Sequence, residues 1–159
     1  DGLWRGWRHI KRAVGNGSDR TARWEMMMAS TEGALAFVKG LGAVHSMSHA
    51  AGRIKELRLH HGTLNAVILP TILRFNEEAC LDVYPRLRQA MGLAANADLA
   101  KAVEQLNADL GLPRGLSEMG LTEELIEDMV PHAINDLATM TNPKKVSAED
   151  FADLYRQAM

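Results

Sequence analysis

Apolar residues recur along the chain at three- and four-residue intervals, in segments punctuated by glycine and proline, and almost nowhere alternate with polar ones. That periodicity predicts amphipathic helices and no sheet of consequence. A first helix is expected from Gly2 to Val14, capped by Asp1, with Leu3, Trp7, Ile10 and Val14 on one face. Gly15-Asn16-Gly17 ends it. A second, capped by Ser18 or Asp19, runs to about Lys39. Its Ala22, Ala29, Gly33 and Ala36 permit close packing, and its Met26-Met27-Met28 run reads as core rather than as a binding surface. After Gly40-Leu41-Gly42 a third helix covers about Ala43 to Leu57, and a fourth covers about Thr63 to Phe75 with a kink at Pro70. Later helices are expected near Leu81–Met91, Ala97–Leu110, Thr122–Ala138, which Pro131 can split, and Ser147–Met159. The last carries the strongest start signal: Ser147 and Asp150 match a capping box, with Val146 able to staple onto Phe151. The expectation is an all-α, multi-helix bundle forming one domain over residues 1–159.

Composition agrees. Helix formers dominate and aromatic residues make up 5 % of the 159 positions. The net charge of −2 is spread along the chain, which argues against a nucleic-acid partner or an anionic membrane surface. Apolar runs are too short for a bilayer-spanning helix, and no signal peptide is visible. The single cysteine, Cys80, precludes an internal disulfide and fits a reducing cytoplasm.

Candidate chemistry concentrates between Gly40 and Pro70, where four of the six histidines lie. His45 and His49, four residues apart, stack on one helix face, where two imidazoles can converge on a metal or a substrate. The same spacing also arises by chance. His61 opens the next helix, and helices joined by a short turn pack antiparallel, so His61 can return beside the pair. His60 and His61 also read as polar residues at a helix start. HExxH, GxGxxG, GxxxxGK[ST] and G-x-S-x-G are all absent. Cys80 reads as a structural thiol, and His9 and His132 have no companions.

GLGAVHSMSHAAG followed by HHGTLNAVILPTILRFN resembles the signature of the iron-containing (group III) alcohol dehydrogenases, in which a G-L-G turn precedes H-x-x-x-H and a P-H-G-x-x-N-A-x-x-L-P motif opens the next helix. The closing TNPKKVSAEDFADLYRQAM resembles that family's final turn and helix. The resemblance spans the chain and implies a two-domain NAD- or NADP-linked enzyme. Its helical domain holds one divalent metal, Fe2+ or alternatively Zn2+. By motif position, His45 and His61 match two of four metal ligands. His49 matches a histidine near the nicotinamide and substrate. Phe37 corresponds to a substrate-pocket residue, though the segment after it is one residue short.

The implied reaction oxidises an alcohol, or reduces an aldehyde or ketone, by hydride transfer. The metal acts as Lewis acid, and His49 orients the substrate or relays its proton. An upstream Asp-x-x-x-His, which supplies the other two ligands in the family, has no counterpart here, nor does the nucleotide-binding domain. The 159 residues are therefore expected to be part of a longer enzyme, inactive alone, and homo-oligomeric at full length. Three features depart from the family pattern. His60 replaces a proline, the segment after His49 is longer, and Lys39 precedes Gly-Leu-Gly. The alternatives are a glycerol dehydrogenase-like zinc enzyme, a dehydroquinate synthase-like enzyme, or a stand-alone, non-catalytic helical module.

Overall fold

The structure, a computed structural model, describes residues 1–159 and is all-α, with eight α-helices, short 3-10 turns and no strand. The helices are α1 (Gly2–Gly15), α2 (Arg20–Ala36), α3 (Ala43–Ala51), α4 (His61–Asn76), α5 (Tyr84–Met91), α6 (Leu99–Asp109), α7 (Ile126–Ile134) and α8 (Ala148–Ala158). None is long and apolar enough to cross a membrane. They form two compact units: Asp1–Lys39 with Cys80–Asp98, and Gly40–Ala79 with Leu99–Met159.

In the first unit α1 packs along α2, and α5 adds to α1. Gly2 and Gly6 face α2, where a Cβ on Gly2 would meet the Glu32 Cβ at 3.1 Å. Arg5 bridges Glu25 and Glu32 across the pair. Asp19 caps α2 by accepting the Ala22 N–H at 2.9 Å, whereas Asp1 makes no side-chain cap bond at α1. The methionine run does not form a core as expected. Ala22 is the only buried residue of α2, while Met27 and Trp24 stand exposed. The helix pair is too thin to enclose a side chain on both sides.

The second unit holds the apolar core. Met47, Leu64, Ile68, Leu116, Leu121, Met129, Phe151 and Tyr155 are almost wholly buried there. α3 packs against α4 and α7, and α4 against α6 and α8. Small residues let α3 come close: Ala43, Ser46, Ser48, Ala50 and Ala51 are all buried. Gly40 shapes its entry at φ +96°, a conformation that favours glycine, and a Cβ there would sit 2.5 Å from the Thr141 side chain. The expected third helix stops early, at Ala51, because Gly52 ends it and the chain turns through Lys55–Leu57 into Arg58, a non-glycine residue in the left-handed region.

The two internal prolines behave alike: each is absorbed inside a helix, and Pro131 does not split α7. Pro70 has no N–H to donate to Ala66 four residues back. The Asn107 amide on α6 takes that role, donating to the Ala66 carbonyl at 2.7 Å. The helix expected to reach Ala138 instead ends at Ile134, and residues Leu137–Thr141 form a separate 3-10 turn. The capping box of α8 forms as expected from its sequence, with Ser147 Oγ accepting the Asp150 N–H at 3.0 Å and the Asp150 carboxylate accepting the Ser147 N–H at 2.8 Å. Val146 packs against the core cluster that contains Phe151.

Tyr155 ties α8 to the site-bearing helix: its hydroxyl, fully buried, donates to the Met47 carbonyl at 2.9 Å. Tyr155→Phe is therefore expected to destabilise the protein by about 1 kcal/mol, the net worth of one buried hydrogen bond. Urea unfolding measures this, and an unchanged midpoint would show that the bond contributes nothing.

Candidate functional site

His45 and His49 lie one turn apart on the face of α3 opposite Met47, Ala50 and Ala51. Helical periodicity alone requires this once the apolar residues face the core. His61 is the first residue of α4. The preceding His60 caps that helix, its Nδ1 accepting the Thr63 N–H at 3.3 Å. A histidine thus replaces the usual Ser, Thr, Asp or Asn acceptor. Residues 52–60 return the chain so that α4 starts beside α3, and the three rings form one cluster. The His45 and His61 centroids are 5.4 Å apart, those of His45 and His49 5.7 Å, and those of His49 and His61 5.3 Å with the rings nearly parallel.

Proton accounting assigns the tautomer of His61. The Ser48 hydroxyl donates to the His45 carbonyl at 3.1 Å, so its oxygen is left to accept from His61 Nδ1 at 3.3 Å. Nδ1 then carries the proton and Nε2 the lone pair. The Asn65 amide nitrogen, a donor, lies 3.0 Å from that Nε2. The Asn65 carbonyl oxygen is buried and has no partner. Burial lowers the pKa of both His45 and His61, and the neighbouring histidines lower both further. Both are therefore neutral, lone-pair-bearing imidazoles near neutral pH.

Sequence reasoning missed Asp136. Its Oδ2 lies 2.9 Å from His49 Nδ1, and its Oδ1 accepts the Ala138 N–H at 2.8 Å, capping the 137–141 turn. Burial pushes the Asp136 carboxyl up, but the bonds from Ala138 and His49 outweigh it and hold the group below the usual range. The segment after it is fastened along α3. Thr139 Oγ1 is 2.7 Å from Ser46 Oγ, Thr141 donates to the Leu41 carbonyl at 2.7 Å, and Asn142 Oδ1 accepts the Ala43 N–H at 3.1 Å. Asn142 also exchanges hydrogen bonds with Asn76 at the end of α4. The Asn142-Pro143 turn is the one sequence signal near Asp136.

Phe37 falls outside this cluster's unit: it belongs to Asp1–Lys39, on the Phe37–Lys39 turn, and is 55 % exposed. His9 also belongs to that unit, and His132 is on α7, outside the cluster of three rings.

In donor chemistry, His45 and His61 fit two positions of a divalent-metal coordination sphere. Both are neutral nitrogen donors, which zinc and iron accept. No group of three or more His, Cys, Asp or Glu in this chain makes a complete set.

Comparison with known proteins agrees with this arrangement of helices. Residues 7–159 match the profile described as "Fe-containing alcohol dehydrogenase family, C-terminal". A 4-hydroxybutyrate dehydrogenase of Cupriavidus necator is 50 % identical over the whole chain, which covers 44 % of that protein. An NAD-dependent methanol dehydrogenase of Bacillus methanolicus is 34 % identical over 95 % of the chain and 42 % of its own length. A crystal structure of 1,3-propanediol oxidoreductase superposes with a TM-score of 0.92 at 30 % identity, over 99 % of this chain and 43 % of that one. The chain thus spans less than half the length of the relatives it matches. With a family profile covering nearly all of its residues and the fold of a solved relative reproduced, this chain belongs to the iron-containing alcohol dehydrogenase family, as its C-terminal, helical part.

Proposed function

We propose that these residues are the metal-binding helical portion of an iron-dependent, NAD- or NADP-linked alcohol dehydrogenase. The observation that carries this reading is the cluster of His45, His49 and His61, with two of its members neutral donors. His45 and His61 would hold the metal, Fe2+ by family and Zn2+ as the alternative, together with ligands from outside these residues. When bound, the metal supplies Lewis-acid polarisation of the alcohol, and the nicotinamide, held by a nucleotide-binding domain, supplies the hydride acceptor.

The remaining chemistry falls to this chain. Ser48 engages His61 Nδ1 and so leaves Nε2 as the nitrogen that would take the metal, in place of the Asn65 amide that faces it here. Oxidation of an alcohol also releases the hydroxyl proton, and His49 would take it at Nε2, a role supported by the engagement of Nδ1 with Asp136. Phe37 is kept as a substrate-pocket residue on the resemblance alone. The half-identical relative named for 4-hydroxybutyrate supports a short hydroxy acid as the alcohol. The lone, buried thiol of Cys80 suits a reducing cytoplasm, and the complete enzyme is proposed to be a homo-oligomer.

The test is an assay of the complete, iron-loaded enzyme with 4-hydroxybutyrate, 1,3-propanediol and methanol against NAD and NADP. Alcohol-dependent reduction of one cofactor is expected, fastest with the hydroxy acid. No reduction with any pair, and no aldehyde reduction in reverse, would overturn the proposal.

A further inference from the structure

We infer that Asp136 is a positioning residue for His49, fixing which ring nitrogen carries the proton and where the other one points. This rests on the proposed role of His49 as the proton acceptor of the reaction.

An ionised carboxylate only accepts, so at 2.9 Å from Asp136 Oδ2 the His49 Nδ1 must be the donor. In the neutral ring Nε2 is then the bare nitrogen. Without that bond His49, with 42 % of its side chain exposed, would divide between tautomers and rotate about its side-chain torsions. The bond to Asp136 at one edge and the stack on His61 across one face define the ring's plane and its direction.

Asp136 is itself held. Its other oxygen accepts the Ala138 N–H, which sets the carboxylate plane. The turn that follows is fastened to α3 and the residues leading into it through Thr139–Ser46, Thr141–Leu41 and Asn142–Ala43. The carboxylate and the ring it orients, 87 residues apart in sequence, are thus mounted on the same helix. A carboxylate merely capping a surface turn would need none of these ties to α3.

The test is a double-mutant cycle on the complete enzyme with Asp136→Asn and His49→Ala. The Asp136→Asn change spares the turn, because an asparagine keeps an oxygen for the Ala138 N–H, while its amide can donate to His49 and invert the tautomer preference. Asp136→Ser, which keeps a cap acceptor but cannot reach Nδ1, is the second variant. Alone, either substitution at position 136 should lower kcat on the order of tenfold, a part of the hundredfold or more that a positioned proton-transfer group supplies, and leave KM nearly unchanged. In the His49→Ala background it should lower kcat no further, because a residue that acts through His49 has nothing left to act on. Ring nitrogen-15 shifts of His49 in the zinc-loaded enzyme should show Nδ1 protonated in the wild type and a shift toward protonated Nε2 in Asp136→Asn.

An equal loss of kcat with and without His49, or an unchanged His49 tautomer in Asp136→Asn, would overturn the inference and leave the proposed function standing. A His49→Ala enzyme with full turnover would instead overturn the role proposed for His49, while the nitrogen-15 shifts still report whether Asp136 sets its tautomer.

Discussion

Replacing His61 or His45 by alanine in the complete enzyme is expected to remove the bound metal and the dehydrogenase activity together. These two rings are the chain's neutral donors in the cluster, and their centroids lie 5.4 Å apart. Each metal–nitrogen bond is about 2 Å long, so rings only slightly closer than this share one ion. Nothing else in the chain completes a ligand set, so neither histidine has a substitute. In the proposed reaction the metal's polarisation of the alcohol would lower the barrier by several kcal/mol, so its loss is expected to cost about a thousandfold or more in rate. Metal analysis and turnover on one preparation check this. A variant that retains a full equivalent of iron would show that the missing ring is not a ligand. His61→Ala also strips Ser48 and Asn65 of their shared partner, but His61 is on the exposed face of α4, so helix content should be unchanged.

His49→Ala is expected to behave differently: metal content near that of the wild type, with kcat lower on the order of a hundredfold, the scale for a positioned proton-transfer group. The physical ground is the direction of its ring. His49 commits Nδ1 to Asp136 and stacks flat on His61 rather than meeting it edge to edge. Lost metal would make His49 a third ligand. Unchanged metal and unchanged turnover would leave it a packing residue. Helical spacing does not separate these outcomes, because positions four apart on a helix face the same way whatever they bind.

The helices themselves are legible in the sequence wherever local chemistry alone decides. The Ser147–Asp150 capping box needs only residues three apart, and it forms. Asp19 caps α2 for the same reason. Legibility fails where a distant residue intervenes. Pro131 predicts a split, yet α7 runs through it unbroken, and Asn107, 41 residues from Ala66, satisfies the carbonyl that Pro70 leaves open. The third helix is expected to reach Leu57. Its apolar periodicity does continue through Ile54 and Leu57, which pack on the core, but they do so from a turn. Periodicity records which residues are buried and not the backbone path that buries them.

Recognition of the family follows from the sequence alone, because its motifs are local: two histidines one turn apart after Gly-Leu-Gly, and a histidine–glycine pair opening the next helix. The tertiary structure decided what surrounds those histidines. Asn65, four residues on in α4, meets His61 by helical spacing alone, but only folding brings Ser48 to that ring, and only the return of the chain after α7 brings Asp136 to His49. A hydrogen bond joins groups 2.9 Å apart in space, and nothing in the spacing of residues 49 and 136 announces it. Proton positions in this site, and so the roles its imidazoles can take, depend on such bonds, which come into being only with the packed fold.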